Sequence, residues 1–325
     1  MTSQGITDGG GGASSASTGS RWLRGIIPPV CTPLTTDGEV DTQSLERLIR
    51  FLLDAGVNGL FMLGSSGEVA FLTDDQRDTV LEVAVKTNAG QVPVLAGAID
   101  MTTTRVLDQA ARARDMGADA IVVTAPFYAR TTHPSEVKLH FTTVRDRAGL
   151  PVIAYDIPVA VHQKLEVPVV MELAAEGIVD GLKDSSNDTN SFRVLATRTR
   201  SFEKFSLLTG SELIVDAALF LGADGAVPGL ANVDPHGFVA LYESCRLNDW
   251  DKAREIQERL VRLFEITALA DPAKKGPSSS GLGGFKTALM LRGVIASNAM
   301  GLPQIALDPQ EVGAVRAVLE AQGLV

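Results

Sequence analysis

The chain is poor in the residues from which metal sites, disulfide frameworks and nucleic-acid surfaces are built. Among 325 residues there are two cysteines, Cys31 and Cys245, far apart in the sequence. That excludes a disulfide scaffold and a thiolate zinc site, and it favours a reducing compartment. Four histidines (His133, His140, His162 and His236) form no HExxH and no other close ligand cluster, so no metal is expected. Lys and Arg number 29 against 39 Asp and Glu, a net charge of −10 at pH 7. A phosphate backbone needs a clustered basic surface, so nucleic acid is not an expected partner. No apolar run has the uninterrupted length of a membrane span, so no membrane partner is expected either. There are three tyrosines, and the place of each one carries information.

What is present supports a large core: 45% of residues are hydrophobic and 21% charged, ordinary values for a globular protein. The opening "MTSQGITDGGGGASSASTGS" has neither a basic start nor an apolar segment. It reads as a disordered Gly/Ser tail, residues 1–22, not as a signal or an anchor, and a soluble cytoplasmic protein is expected. Beyond it, short apolar runs alternate with amphipathic stretches. "GIIPPVCTP" precedes "DTQSLERLIRFLLDAG", with Asp41 or Thr42 as helix cap and Gly56 as stop. "NGLFMLG" precedes "TDDQRDTVLEVAVKTNAG", and the alternation continues through "VPVLAGA", "ADAIVVTAP", "PVIAYDIP", "IVDGLKD", "FSLLTG" and "DGAVPGL", each followed by a helical pattern. Continuous apolar strands alternating with helices imply a parallel sheet covered by helices. Eight such units match a closed α/β barrel, the (β/α)8 or TIM barrel, placed at residues 23–248. An open doubly wound sheet would carry a glycine-rich phosphate turn after its first strand, and "VCTPLTTDGE" is none. Residues 249–325 read as a C-terminal helical appendage, with "DPAKKGPSSSGLGG" (271–284) as an exposed, turn-rich link.

In such a barrel the chemistry sits at the C-terminal ends of the strands. There the second unit delivers Gly64, Ser65, Ser66, Gly67 and Glu68, and the fourth delivers Tyr128. The fifth delivers Tyr155 and Asp156, the sixth Lys183 and Asp184, and the seventh Ser211 and Glu212. Each has an ordinary reading when taken alone. A lysine at a strand end can point into water, "GSSGE" can be a plain turn, and a tyrosine can be a core aromatic. Convergence on one rim is what those readings leave unexplained. A lysine amine can attack a ketone to form a Schiff base, an electron sink for making or breaking carbon–carbon bonds. It attacks as the free amine, a form that burial favours. A nearby phenol can shuttle the protons, and paired serines with the amides of a Gly-rich turn can hold a carboxylate without a metal. Together these parts suit a 2-oxo acid and require no cofactor.

The same residues resemble those of the dihydrodipicolinate synthase / N-acetylneuraminate lyase family of class I, Schiff-base lyases, from about residue 24 to the C-terminus. "GSSGE" is similar to its G-[ST]-[ST]-G-E turn, "YDIP" to its Y-N-x-P, "GLKDSS" to its lysine motif and "GADGAVPGLANVDP" to its eighth-strand segment. The resemblance implies that Lys183 forms the imine with pyruvate or a longer 2-oxo acid and that Tyr155 transfers protons. It implies that Ser65, Ser66 and Gly67 hold the carboxylate, with Ser65 also relaying protons to Tyr155. Val227 would offer backbone contacts to the substrate. Tyr128 matches a tyrosine that reaches into a neighbouring subunit's site, which implies a homodimer or homotetramer.

Departures bear on the substrate. Dihydrodipicolinate synthases place an arginine after "YNxPS" for the aldehyde partner's carboxylate, whereas "YDIPVAVHQ" has Val159, Ala160 and Val161. Sialic-acid lyases carry two acids after the seventh strand; "TGSEL" keeps Glu212 but has Leu213 beside it. "KDSS" is closer to the branch acting on 2-oxo-3-deoxy sugar acids, with Ser185, Ser211 and Glu212 left as partners for hydroxyl groups. The expected function is therefore a lyase or aldolase for a hydroxylated 2-oxo acid. Two alternatives stay open: a dihydrodipicolinate synthase that condenses pyruvate with aspartate semialdehyde, and a non-catalytic 2-oxo acid sensor or scaffold.

Overall fold

A computed structural model describes residues 21–129 and 133–325; the sequence-predicted Gly/Ser tail lies, but for its last two residues, outside them. The elements run β1 (Gly25–Ile26), α1 (Thr42–Asp54), β2 (Leu60–Met62), α2 (Asp74–Asn88), β3 (Val94–Gly97), α3 (Thr103–Asp115), β4 (Ala120–Thr124) and α4 (Pro134–Ala148). They continue with β5 (Val152–Asp156), α5 (Pro158–Val161), α6 (Val167–Ala175), β6 (Gly181–Asp184), α7 (Thr189–Arg198), β7 (Ser206–Thr209), α8 (Val215–Leu221), β8 (Gly225–Ala226) and α9 (Pro235–Arg246). Helices α10 (Trp250–Phe264), α11 (Pro277–Leu291) and α12 (Pro309–Ala321) complete the chain.

All eight strands are parallel, in the order β1-β8-β7-β6-β5-β4-β3-β2. The two ends of that order meet: Phe61 N–H donates to Pro28 O and Val30 N–H to Phe61 O, both at 2.9 Å, around the bridge Pro29↔Phe61. The sheet is a (β/α)8 barrel with helices outside it. The first strand is shorter than the apolar run 25–33 suggests, because Pro28 and Pro29 lack the N–H groups a ladder needs. Local rules set the helix ends elsewhere. Asp41 caps α1 by accepting from Ser44 N–H, and Thr73 with Gln76 forms a capping box on α2. Arg21, just inside the described chain, donates to Asp224 Oδ1 and to Thr199 O, both at 2.9 Å, fastening the N-terminal side of the barrel.

Period-two alternation divides the core into two sets. Outward residues such as Ile121, Val123, Val152, Ala154, Leu182 and Leu207 pack under the helices, while Ala120, Val122, Ile153, Tyr155, Leu208 and Val227 fill the barrel interior. The register pairs Tyr155 with Lys183 across β5 and β6, so both side chains rise on the interior face.

The link 271–284 departs from expectation. Its second half is the start of α11, and Ser279, Ser280, Gly283 and Gly284 are buried. A Cβ on Gly284 would lie 2.2 Å from Ile266 O, and one on Gly283 would lie 3.3 Å from Leu307. The small residues that signal a turn in sequence serve here to let a helix pack flush against its neighbours. Tertiary contact overrides their poor helix propensity. Among the described residues no helix is long and apolar enough to cross a membrane.

Candidate active site

The turn after β2 presents the paired serines. Gly67 N–H donates to Gly64 O at 3.0 Å and Glu68 N–H to Ser65 O at 3.1 Å, while buried Thr32 donates its hydroxyl to Gly67 O at 2.8 Å. Both glycines are required by close approach: a Cβ on Gly64 would stand 2.7 Å from the Phe61 ring, and one on Gly67 would stand 3.0 Å from Val30 O. Leu63 and Glu68, on either side of the turn, adopt the left-handed conformation at φ 56° and 58°, which a residue with a side chain seldom takes.

Opposite the turn, Tyr155 and Lys183 stand side by side, and Lys183 is only 4% exposed. Its Nζ lies 4.0 Å from the Tyr155 ring centroid and 4.8 Å from that of Phe61. The Phe61 ring meets Tyr155 edge-on, centroids 6.2 Å apart. Two aromatic walls thus fix the path of the lysine stem and keep its amine at the cavity floor. Ser65 Oγ is 3.4 Å from the Tyr155 hydroxyl, a long contact that closing on a substrate oxygen can tighten.

Alternation sends the neighbouring acids the other way. Asp156 and Asp184, adjacent across the same two strands, leave the cavity to the lysine. Asp156 accepts from Lys164 Nζ at 2.8 Å and from Leu165 N–H at 3.0 Å, and Asp184 accepts from Ser186 N–H at 2.8 Å. Burial pushes the Asp156 carboxyl above the ordinary carboxylate range, and Lys164 partly offsets this. Of the rim residues named from sequence, these two are not cavity groups. Glu68 is not one either: it turns away from the cavity and is buried against Lys286 Nζ at 2.5 Å.

Lys183, Tyr155, Ser65, Ser66, Ser185, Ser211, Glu212 and Val227 all line one cavity of about 550 Å³. Gly67 shapes the turn without lining the cavity. Tyr128 does not line it either: it is 92% exposed on the loop after β4, with φ at 75°. The cavity also draws on residues the sequence reading did not select: Pro29, Ile157, Asn187, Thr189, Ile214 and Phe264. Asn187 sits in the same "DSSND" stretch as the lysine motif and accepts from the Ser211 hydroxyl at 2.8 Å. Phe264, on α10, comes from a region whose sequence gives no sign of reaching the barrel mouth. A Cβ on Gly210 would fall 2.0 Å from Ser185 Oγ, so that glycine makes room for the Ser185 hydroxyl.

Lys183 and Glu212 are the two charged residues of this lining. Glu212 Oε2 accepts Leu230 N–H at 2.8 Å, with the Gly229 amide beside it. Burial pushes its carboxyl up to about 7, against the lowering effect of those amides and of Lys183. The lip is apolar. Val159, 80% exposed, and Leu213, 47% exposed, both line it. Among the described residues no group of three or more His, Cys, Asp or Glu is placed to hold a metal ion.

The sequence model of the Dihydrodipicolinate synthetase family matches residues 22–322. The chain belongs to that family. It is 32% identical over 273 residues to 4-hydroxy-tetrahydrodipicolinate synthase of Staphylococcus carnosus, covering 84% of this chain and 92% of that one. It is 33% identical over 302 residues to an uncharacterized DapA-like lyase of Halobacterium salinarum, covering 93% and 95%. In structure it superposes with a TM-score of 0.86 and 30% identity on YagE of E. coli K12, a prophage protein of the dihydrodipicolinic acid synthase family, crystallised with pyruvate. That match spans 93% of this chain and 99% of the other. The protein is accordingly an enzyme, a lyase of the class I aldolase type.

Proposed function

We propose that this enzyme forms a Schiff base between Lys183 and a 2-oxo acid, pyruvate or a longer hydroxylated one, and makes or breaks the bond beyond C3. The observation that carries this reading is the buried Lys183 amine beside Tyr155, whose hydroxyl lies within 3.4 Å of Ser65. The amine adds to the C2 ketone and the carbinolamine loses water to give the imine. In aldol cleavage the substrate's C4 hydroxyl gives up its proton, the C3–C4 bond breaks and an aldehyde leaves. The electron pair passes into the enamine, which is protonated at C3, and water then releases pyruvate. Tyr155 is positioned to carry the protons, relayed by Ser65. Ser65, Ser66 and the amides of their turn hold the substrate carboxylate.

The lining favours a tail with hydroxyls and no second carboxylate. Lys183 is its one cation and is committed to the ketone, and the remaining charge, Glu212, is acidic. A carboxylate-tailed aldehyde would meet an acid and an apolar lip, whereas Ser185, Ser211 and Glu212 offer hydrogen-bond partners to hydroxyls. A 2-oxo-3-deoxy sugar acid fits these groups. The competing reading, condensation of pyruvate with aspartate semialdehyde, is favoured by the names of several relatives. Tyr128, an exposed aromatic in a strained conformation, suits a residue that completes a partner subunit's site, and a homodimer or homotetramer follows. An active monomer in sedimentation at working concentration would contradict that assembly. Cys31 and Cys245, buried and unbridged, suit a cytoplasmic enzyme.

The test is incubation with pyruvate, reduction with borohydride and mass spectrometry. A reduced adduct on the Lys183 peptide is expected, and its absence with both pyruvate and longer 2-oxo acids would refute the imine. Pyruvate release across a panel of 2-oxo-3-deoxy sugar acids is then compared with aspartate semialdehyde condensation. Efficient condensation without any aldol cleavage would overturn the substrate preference.

A further inference from the structure

Leu63 and Glu68, both in the left-handed conformation, flank the serine turn, and in that conformation a side chain crowds its own backbone. A turn with both ends strained relaxes unless its surroundings hold it. At Leu63 the hold is steric: Gly97 of β3 lies so close that a Cβ there would stand 1.9 Å from Leu63 O. At Glu68 the hold is the side chain, and both of its partners come from the C-terminal region. Glu68 Oε2 accepts from Lys286 Nζ of α11 at 2.5 Å, and Oε1 accepts from Gly301 N–H at 3.0 Å. Lys286 is 0% exposed and Glu68 1%.

Burying two charges is a poor way to gain stability, because the desolvation cost of the pair can equal or exceed its attraction. Stability alone therefore gives no reason for this pair. Geometry gives one, since a carboxylate held at both oxygens resists departure of the Glu68 backbone from φ 58°. Charge gives a second. Glu68 lies two residues from Ser66, and its carboxylate without Lys286 would oppose a substrate carboxylate at the turn.

We propose that the Glu68–Lys286 pair is a positioning device through which the C-terminal helical region sets the shape of the carboxylate-binding turn. Lys286 and Glu68 are thus positioning residues for 2-oxo acid binding, remote from the reacting atoms. The inference rests on the reading of Ser65 and Ser66 as the carboxylate pocket. The same helix also reaches the wall that follows β8: a Cβ on Gly229, beside the amide that holds Glu212, would lie 2.7 Å from the Phe285 ring.

The test is the double variant Glu68→Gln/Lys286→Met, which removes both charges at nearly constant volume and so avoids stranding one of them. Cooperative thermal unfolding close to that of wild type is expected. Pyruvate binding by calorimetry should weaken at least tenfold, while kcat at saturating substrate changes less than threefold, a split that a purely structural pair would not produce. Wild-type pyruvate affinity in the folded double variant overturns the proposal, and so does loss of cooperative folding, which would make the pair a support of the fold. Borohydride trapping reads the imine separately. A wild-type enzyme that binds pyruvate without being trapped refutes the Schiff base and leaves the affinity comparison intact.

Discussion

Installing an arginine at Val159 would ask directly what the cavity selects. Val159 lines the mouth at 80% exposure, on the short α5. Its replacement should disturb no core packing. A bidentate, charged hydrogen bond to a carboxylate is worth about 1.5–3 kcal/mol when well enclosed. An exposed pair measures nearer 0.2–1 kcal/mol. At a position this open the gain should be about 1 kcal/mol, or roughly fivefold in kcat/KM. Glu212 faces the same cavity and opposes an anionic tail, so adding Glu212→Gln should bring the shift to roughly thirtyfold. The assay is the ratio of kcat/KM for aspartate semialdehyde to that for glyceraldehyde in condensation with saturating pyruvate. Val159→Arg should raise the ratio, and the gain should shrink as salt is increased, because the new charge is exposed. If neither variant moves the ratio, or if wild type already prefers aspartate semialdehyde, the argument from the cavity's charges is wrong.

Two further outcomes follow from the same geometry. Tyr155→Phe keeps the ring that packs on Phe61 and Lys183 and removes only the hydroxyl. Turnover should fall about 10²–10⁴-fold with the fold intact, and wild-type turnover would show the phenol to be structural. The pH dependence of stability should contain two opposed contributions. His140, whose ring bonds the Thr103 hydroxyl and Thr124 O, is held down to about 4 by burial from an ordinary 6.5. Its contribution is complete above pH 6.5 and is lost as pH falls toward 4. Glu212, raised from 4.5 to about 7, does the reverse, costing stability as pH rises across 4.5–7. Each is worth up to roughly 3 kcal/mol, so they nearly cancel in wild type. Denaturant melts from pH 4 to 8 should tilt downward with pH in His140→Gln and upward in Glu212→Gln; parallel curves for all three proteins would refute both assignments.

Eight apolar runs alternating with helical patterns were enough to specify a (β/α)8 barrel, because parallel strands buried on both faces must be apolar and each needs a covering helix. The same local chemistry placed Lys183, Tyr155 and the Ser65–Ser66 turn at one rim: once the strands are located, the rim follows from chain direction. Even the outward turn of Asp156 and Asp184 was implicit in period-two alternation, since each follows directly on a residue that faces in. What sequence alone left open depends on contacts between distant segments. Glu68 and Lys286 are 218 residues apart, and nothing in "GSSGE" or "GLGGFKTAL" marks them as partners. The serine- and glycine-rich start of α11 looks like a turn until Ile266 and Leu307 are packed against it. Phe264 enters the cavity for the same reason. Local pattern says which face of an element is apolar, but which surface meets that face is settled only when the whole chain has closed.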